Sequence, residues 1–196
     1  GRGQTTPRNL MGYKDGTRNV RTEAEFGDFV WADSADQPWM AGGTYQVVRK
    51  IRMDIEIWDS ATITTQHQTF GRDKTEGAPL TGKKEFDTPD FKATTGGTPV
   101  IDPTSHVALA AHENNDGTKI LRRGYNFTDG INEFGQLDAG LLFVSYQKDP
   151  EQFVRLQRRL GSSDLLNEYI AHIGSGLFAI PPAPKPGHYI GEELFS

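Results

Sequence analysis

The sequence predicts an α+β fold in which a ferredoxin-like antiparallel sheet packs against helices. Segments with the period of a strand and segments with the period of a helix follow one another in the order β-α-β(β)-β-α-α-β. The 196 residues suffice for one domain with its own core. Hydrophobic residues make up 35% of the chain and charged residues 24%, which is typical of a globular protein.

The chain divides into a loop-rich beginning and a more regular remainder. Residues 1–42 are rich in Gly, Asp, Asn and Arg, and we expect mostly loop there, with a short strand near residues 29–32. From Thr44 to about Asp54 apolar and polar residues alternate imperfectly, which predicts a strand. We therefore predict a loop-rich segment over residues 1–42 and a ferredoxin-like domain over residues 43–196, within one structural unit.

One helix and one long loop follow this strand. Between Glu56 and Phe70 the spacing of apolar residues becomes helical, and Gly71 is suited to end the helix. Residues 71–104 contain many Gly, Pro, Asp and Thr residues. A loop of this length is uncommon inside a compact domain, so we predict that it has a functional role.

Three apolar segments of the second half read as strands. Residues 105–111 and 120–127 are short and lie on either side of a strong turn signal at residues 114–117. The continuous apolar run of residues 141–146 predicts a buried strand.

Two helices and a final strand complete the predicted order. Pro150 stands at a favoured first position of a helix, and an apolar stripe follows it. Ser163 and Asp164 are suited to cap a second helix that runs through Ile173. Residues 174–180 then predict a last strand, which two prolines end.

The composition excludes several classes of protein. The sequence contains no cysteine, so disulfide frameworks, thiolate zinc sites, iron–sulfur clusters and cysteine nucleophiles are excluded. The net charge is -5 and the basic residues are scattered, which argues against a nucleic-acid partner. No apolar run approaches the roughly 20 residues that a membrane-spanning helix needs.

The first candidate site is the segment that contains Gly12, Asp15 and Gly16. Glycine on both sides lets the backbone turn tightly or approach a flat ligand closely, and it would present the aspartate on a rigid loop. An ordinary Asp-Gly turn explains the same residues, as Asp116-Gly117 illustrates elsewhere in the chain.

The second candidate is His106, which lies in an apolar segment. Any haem bound by this chain must be held by His, Tyr or Met, because cysteine is absent. A histidine in an apolar segment is more often a core residue than a ligand, and four other histidines are rivals for the role of ligand: His67, His112, His172 and His188.

The third candidate is the pair Arg122 and Arg123 in a strand-like segment. Two arginines are unusual in apolar surroundings, because a buried guanidinium group must find an anion. At least one of them therefore points inward to a partner or lies at the edge of the sheet in water.

Taken together and in order, these motifs resemble those of the dye-decolourising peroxidases, in particular the exported bacterial group called A-type. The resemblance rests on NLMGYKDGT, SHV-x-LA, ILRRGYNF, DAGLLFVSYQKDP and a final HYIGEELF, and it extends along essentially the whole chain. The family's Gly-x-x-Asp-Gly signature falls on Gly12, Asp15 and Gly16. The resemblance implies that the chain is the C-terminal, haem-binding half of a two-domain protein with the dimeric α+β barrel fold.

The resemblance implies an enzyme that binds haem b and uses hydrogen peroxide to oxidise dyes and other aromatic compounds. His106 is then the axial ligand of the iron. Asp15 moves the proton of the peroxide, and Arg122, the first of the two arginines, stabilises the charge that develops as the O–O bond breaks. Arg72, in the long loop, is expected to pair with a haem propionate.

The ring nitrogen of His106 that does not bind the iron is expected to donate to a carboxylate. By resemblance we assign this carboxylate to Glu168, with Asp138 as the second choice. Two positions depart from the A-type pattern. Ala108 stands where a basic residue is usual, and His112 stands where a proline or a small residue is usual.

The resemblance also implies a location and partners. Export to the periplasm or the medium by the twin-arginine route is expected, and the N-terminal half of the same precursor is the expected partner. Assembly into a homo-oligomer stays open. Two alternatives to a peroxidase also stay open: a protein that releases iron from haem, and a half-domain that is inactive without a separate N-terminal chain.

Overall fold

A five-stranded antiparallel sheet with helices on one face forms the centre of the protein. The computed structural model describes residues 6–33 and 37–195, so residues 1–5 and 34–36 of the predicted loop-rich segment, and the last residue, lie outside the described part. The helices are α1 (Glu23–Phe29), α2 (Ile55–Ser60), α3 (Ile63–Phe70), α4 (His106–Ala110) and α5 (Pro150–Ser163). The strands are β1 (Thr44–Met53), β2 (Thr94–Thr95), β3 (Thr98–Pro99), β4 (Leu121–Arg122), β5 (Tyr125–Ile131), β6 (Leu137–Gln147) and β7 (Ile170–Ile180).

The large sheet has the order β4-β6-β1-β7, and β5 also pairs with β6. Strand β1 is central because its alternating residues pack on the helical layer, where Val47, Ile51 and Met53 are buried. Strands β2 and β3 form a separate hairpin. The predicted α+β fold with an antiparallel sheet is confirmed. In the described part of the chain, no helix has both the length and the apolar character that crossing a membrane requires.

An aromatic cluster anchors the segment that contains Asp15. The ring of Tyr13 stacks on Phe70 with centroids 4.0 Å apart, and Trp58 meets both rings edge-on. The indole nitrogen of Trp58 donates to the carbonyl of Met11 at 3.0 Å. The loop of residues 11–13 is thereby fixed to α2 and α3, so the backbone that leads to Asp15 is held in place.

Two predictions for the first half of the chain need correction. The strand expected near residues 29–32 is absent, because Thr22 and Glu25 form a capping box that starts α1 instead. The helix expected between Glu56 and Phe70 is two helices, since the side chain of Thr62 accepts a hydrogen bond from an amide of the next turn and starts α3. Gly71 ends α3 in the left-handed conformation with φ 77°, as predicted.

Two predictions for the second half are also wrong. Residues 105–111 contain α4 rather than a strand, because the Ser105 hydroxyl caps the helix by accepting the amide of Ala108 at 3.4 Å. The helix expected from Asp164 through Ile173 is only a 3-10 turn over Leu165–Glu168, after which β7 begins at Ile170. Pairing with β1 outweighs the local helical pattern here, and it places His172 on a strand.

We expect Gly140→Ala to destabilise the protein by about 1–3 kcal/mol, because it would overpack the centre of the sheet. A Cβ atom at Gly140 would overlap the carbonyl oxygen of Ile51, and the backbone of β1 cannot retreat without breaking its pairing with β7. The midpoint of urea unfolding measures the effect. Gly174→Ala is the matched control, since Gly174 pairs with Lys50 of the same strand and nothing lies within 4 Å of its added Cβ. Equal midpoints for the two variants would contradict the expectation.

Candidate functional site

A deep cavity lies between the sheet and helices α4 and α5. Its empty volume is about 1710 Å³ when the open mouth is included. Its lining includes the segment around Asp15, the end of β4, residues of α4 and residues of the 3-10 turn that follows α5. Apolar side chains form much of its wall: Ile51, Met53, Phe70, Val107, Leu141, Phe143, Phe153, Leu156, Leu160, Leu166 and Ile170.

His106 is the first residue of α4 and reaches the cavity from one wall. Its Nδ1 lies 2.7 Å from Oδ2 of Asp164, whose side chain is only 3% exposed. The ring also packs edge-on against Phe70, with centroids 6.1 Å apart. Because Asp164 occupies Nδ1, Nε2 is the nitrogen that remains available to a metal.

The prediction that Glu168 or Asp138 is the carboxylate partner of His106 was wrong. Glu168 lies on the exposed side of the 3-10 turn, and Asp138 lies on β6, where it contributes to the field at Lys50. The sequence did single out Asp164, but only as a helix cap. It fills both roles, because Oδ1 accepts the amide of Leu166 at 2.9 Å while Oδ2 contacts the imidazole.

Asp15 and Arg122 meet at another wall of the same cavity. Nη1 of Arg122 lies 3.6 Å from Oδ1 of Asp15, and Nη2 donates to the carbonyl of Thr17 at 3.0 Å. The side chain of Asn19 holds the main chain of Arg122 by both its amide and its carbonyl, at 2.9 and 2.8 Å. The amide of Asp15 in turn donates to the carbonyl of Pro7 at 2.9 Å. Both charged groups therefore sit on a braced backbone.

Of the two arginines, the one that lines the cavity is Arg122. Arg123 is exposed, and its amide donates to the carbonyl of Val144 on β6 at 2.8 Å. Both residues border a second pocket, which Asp15 also lines. The positions of the two side chains therefore favour Arg122 as the arginine that acts in the cavity.

The two glycines of the first motif have different surroundings. Gly12 adopts φ +86° and lies outside the cavity lining, where an added Cβ would collide with the side chain of Lys74. Gly16 adopts φ +119° and borders the second pocket beside Asp15. Each is required by the turn of the backbone, and Gly12 makes room for a lysine rather than for a flat ligand in the cavity.

The rival histidines separate into two groups. His67 accepts the amide of Lys74 at 3.1 Å and His188 contacts Glu192, and both lie outside the cavity lining. His112 and His172 do line the cavity, and burial lowers the pKa of each. Within the described residues, neither has a buried carboxylate partner like that of His106.

Three further arginines line the cavity: Arg49, Arg72 and Arg18, the last of which pairs with Glu113. Arg72 is buried, and its Nη1 donates to the carbonyls of Gly77 and Glu85 at 2.6 and 2.8 Å. Burial, assisted by the nearby charge of Arg18, lowers the pKa of Arg72 to about 10.

Arg49 was missed at the sequence level, where it counted only as one of the scattered basic residues. Its Nε donates to Ser175 at 2.8 Å, its Nη1 contacts Gln157, and its guanidinium group lies over the ring of Phe153. Burial lowers its pKa. No carboxylate of the described residues lies within ion-pair distance of Arg49, so its positive charge is available to an anion in the cavity.

Comparisons with known proteins agree on one family. The family model described as "Dyp-type peroxidase, C-terminal" matches residues 6–185. The dye-decolorizing peroxidase of Thermobifida fusca is 43% identical over 196 residues, which cover 96% of this chain and 45% of that protein. The deferrochelatase of Escherichia coli (strain K12) is 41% identical over 201 residues, covering 98% of this chain and 47% of the relative.

Solved structures give the same result. Ferric DtpA from Streptomyces lividans superposes with a TM-score of 0.93 at 39% identity, covering 99% of this chain and 54% of that one. A DyP-type peroxidase from Streptomyces coelicolor gives a TM-score of 0.92 at 38% identity. The chain spans about half the length of the relatives that it matches.

Proposed function

The chain belongs to the DyP-type peroxidase family, whose C-terminal domain it matches, and we propose that it forms the haem site of an enzyme that oxidises dyes and phenolic compounds with hydrogen peroxide. One observation carries the proposal. A histidine with a buried carboxylate behind it and an aspartate–arginine pair line the same apolar cavity.

The residues of the cavity fit haem b. A metal-binding histidine almost always donates its second ring nitrogen to a carboxylate or carbonyl, and Asp164 supplies that partner to His106. The wall is mainly apolar, as a porphyrin ring requires, and the cationic groups of Arg49 and Arg72 suit the two propionates. Bound haem would supply an iron centre that hydrogen peroxide oxidises and that aromatic reductants return to its resting state.

Asp15 and Arg122 divide the handling of the peroxide between them. The carboxylate of Asp15 accepts the proton from one oxygen of hydrogen peroxide and returns it to the other, so that water can leave. The guanidinium group of Arg122 stays protonated and directs its donors at the oxygen on which negative charge accumulates. Their separation of 3.6 Å allows both to act on one small molecule.

His106 and Asp164 have a complementary task. The carboxylate of Asp164 fixes the tautomer and the orientation of the imidazole, and it makes Nε2 a stronger base. A more basic imidazole at His106 would favour the oxidised states of a bound haem iron. The largely apolar lining would limit the water that reaches a bound haem.

The test is an absorption spectrum of the full-length protein before and after one equivalent of hydrogen peroxide. A Soret band that changes rapidly on mixing, and that a dye or phenol then restores, is the expected result. A protein that binds hemin but whose spectrum does not respond to peroxide would overturn the proposal.

Release of iron from haem is the second candidate, because relatives at 41% identity are named deferrochelatases. The two functions use the same cavity but differ in their products. Fluorescence of iron-free porphyrin that appears in step with the loss of the Soret band would favour iron release. Turnover of a dye with an unchanged amount of haem would favour the peroxidase.

The remaining half of the relatives' length suggests a partner for the sheet. Its outer face, away from the helices, exposes Leu142 on one side of β1 and both Phe178 and Ile180 on the other. We assign this face to the N-terminal half of the same precursor. Export by the twin-arginine route stays a prediction for the whole protein.

We expect Arg49→Leu to weaken the binding of haem about 5- to 10-fold, because it removes a charge-assisted contact with a propionate. Haem dimethyl ester, which lacks that charge, should bind to the variant and to the unchanged protein alike. The measurement is a titration of the Soret band with each compound. Arg123→Leu, which changes an exposed arginine outside the cavity lining, serves as the control. An equal loss for haem and for its ester would reject the role of Arg49.

A further inference from the structure

Glu85 is a buried acidic residue for which the mechanism above has no use. It lies in the long loop of residues 71–104, and the residue is only 8% exposed. Three side chains donate to its carboxylate: Thr6, Lys14 at 2.8 Å and Thr17 at 2.9 Å. All three belong to the chain segment that contains Asp15, although Glu85 lies about 70 positions further along the chain.

Two of these contacts brace the backbone of Asp15. Lys14 is its immediate neighbour, and its ammonium group is held by Oε2 of Glu85. Thr6 precedes Pro7, whose carbonyl accepts the amide of Asp15 at 2.9 Å. Glu85 therefore holds the chain segment of Asp15 at two points: at Lys14, directly before Asp15, and at Thr6, directly before Pro7.

The third contact leads to Arg122. The hydroxyl of Thr17 donates to Oε1 of Glu85, while the carbonyl of the same threonine accepts Nη2 of Arg122 at 3.0 Å. A single residue thus connects the buried carboxylate with the guanidinium group. The carbonyl of Glu85 also accepts Nη1 of Arg72 at 2.8 Å, which fixes the position of Glu85 itself.

We propose that Glu85 is a positioning residue that sets the separation and the orientation of Asp15 and Arg122. The inference rests on the proposed peroxidase function, because it concerns the same pair. Burial alone would raise the pKa of Glu85, but the hydrogen bonds from Lys14, Thr6 and Thr17 outweigh burial and lower it. The carboxylate is accordingly the ionised acceptor that all three donors require.

The test compares Glu85→Gln with a matched variant. Glutamine keeps the length of the side chain and one acceptor oxygen but loses the charge that holds Lys14. The control is Glu25→Gln, because Glu25 also binds a lysine, Lys119 at 2.7 Å, and backbone amides, yet it contacts none of the donors of Glu85. The full-length, haem-loaded protein is used throughout.

Two readouts separate positioning from stability. The first is the second-order rate constant of the spectral change after mixing with peroxide, measured beside the KM for the dye. The second is the Kd of fluoride for the ferric haem, a small anion that depends on the same donors without any turnover. For Glu85→Gln we expect a peroxide rate at least about tenfold lower and weaker fluoride binding, with the KM for the dye unchanged. Glu25→Gln should change neither readout, whatever it does to the melting temperature.

Thr17→Val covers the case in which Glu85→Gln does not fold. It removes one donor and preserves the shape and the carbonyl that binds Arg122, so a loss of about two- to fivefold in the peroxide rate is expected. Normal peroxide and fluoride constants in a folded Glu85→Gln protein, or in Thr17→Val, would overturn the inference. If the protein without substitutions does not react with peroxide, the proposed function is wrong. The fluoride titration would in that case still test the role of Glu85.

Discussion

His106→Ala is expected to abolish tight binding of haem, the largest effect of any single substitution in this chain. The imidazole is the proposed bond to the iron, and its loss should cost more than the about 10- to 100-fold that removal of an outer partner costs. Asp164→Asn should fall in that smaller range, because the amide keeps the shape but no longer supports the imidazole as a carboxylate does. Titration of each purified variant with hemin, followed at the Soret band, gives the affinities.

Other histidines provide the controls for this experiment. His188→Ala changes a residue outside the cavity lining and should bind haem normally. His112→Ala and His172→Ala change residues of the lining and should reduce the affinity by less than His106→Ala does. If one of these two variants loses haem binding while His106→Ala binds haem normally, the substituted histidine of that variant is the ligand instead of His106. Added imidazole should partly restore the Soret band of His106→Ala.

Asp15→Asn and Arg122→Leu are expected to slow the reaction with peroxide by about 10²–10⁴-fold and about 10²–10³-fold respectively, while haem stays bound. The first variant loses the group that carries the proton, and the second loses the fixed positive charge beside the breaking bond. Stopped-flow absorption at several peroxide concentrations measures the rate constants. Because the two side chains lie 3.6 Å apart and act on one molecule, the double variant should lose less than the product of the two single losses.

The pH profile tests the same assignment independently. Aspartic acid in water titrates near pH ~4 and imidazole near ~6.5, so a carboxylate base continues to work in acid where a histidine would already be protonated. We therefore expect peroxide to react well at acidic pH in the unchanged protein. Arg123→Leu should leave both the rate and its pH profile unchanged, since Arg123 is exposed outside the cavity lining. Activity confined to alkaline pH would exclude Asp15 as the base.

The strands with clear alternation or long apolar runs were predictable from the sequence. Strands β1 and β6 appear near their predicted positions, because the burial of a strand requires apolar residues at the buried positions and so gives a recognisable sequence pattern. The start of α5 was equally clear, since Asp149 caps it and Pro150 occupies its first turn. The apolar segment of α4 was ambiguous, because five helical residues are too few to display a period.

The candidate site was predictable in its residue types but not in all its partners. Motifs pointed to Asp15, His106 and Arg122, and the structure brings them to one cavity. The partner of His106 depended on where α5 ends, which tertiary pairing of β7 decides, so Asp164 was recognised only as a cap. The role of Glu85 could not be predicted from neighbouring residues, because its partners Thr6, Lys14 and Thr17 lie far from it in the sequence.

The arrangement of the sheet has a consequence for the order of events during synthesis. Strand β1 is made well before both of its neighbours, β6 and β7, so the centre of the sheet closes only when distant parts of the chain meet. Closing such long loops costs entropy before any pairing compensates for it, which makes assembly slow and exposes apolar surface on the nascent chain. The cavity wall includes His172 of β7, so a ribosome must release that strand before the pocket exists. If the cavity holds haem as proposed, haem can enter it only after this strand has left the ribosome, and cells that produce the chain faster than they supply haem should accumulate empty protein.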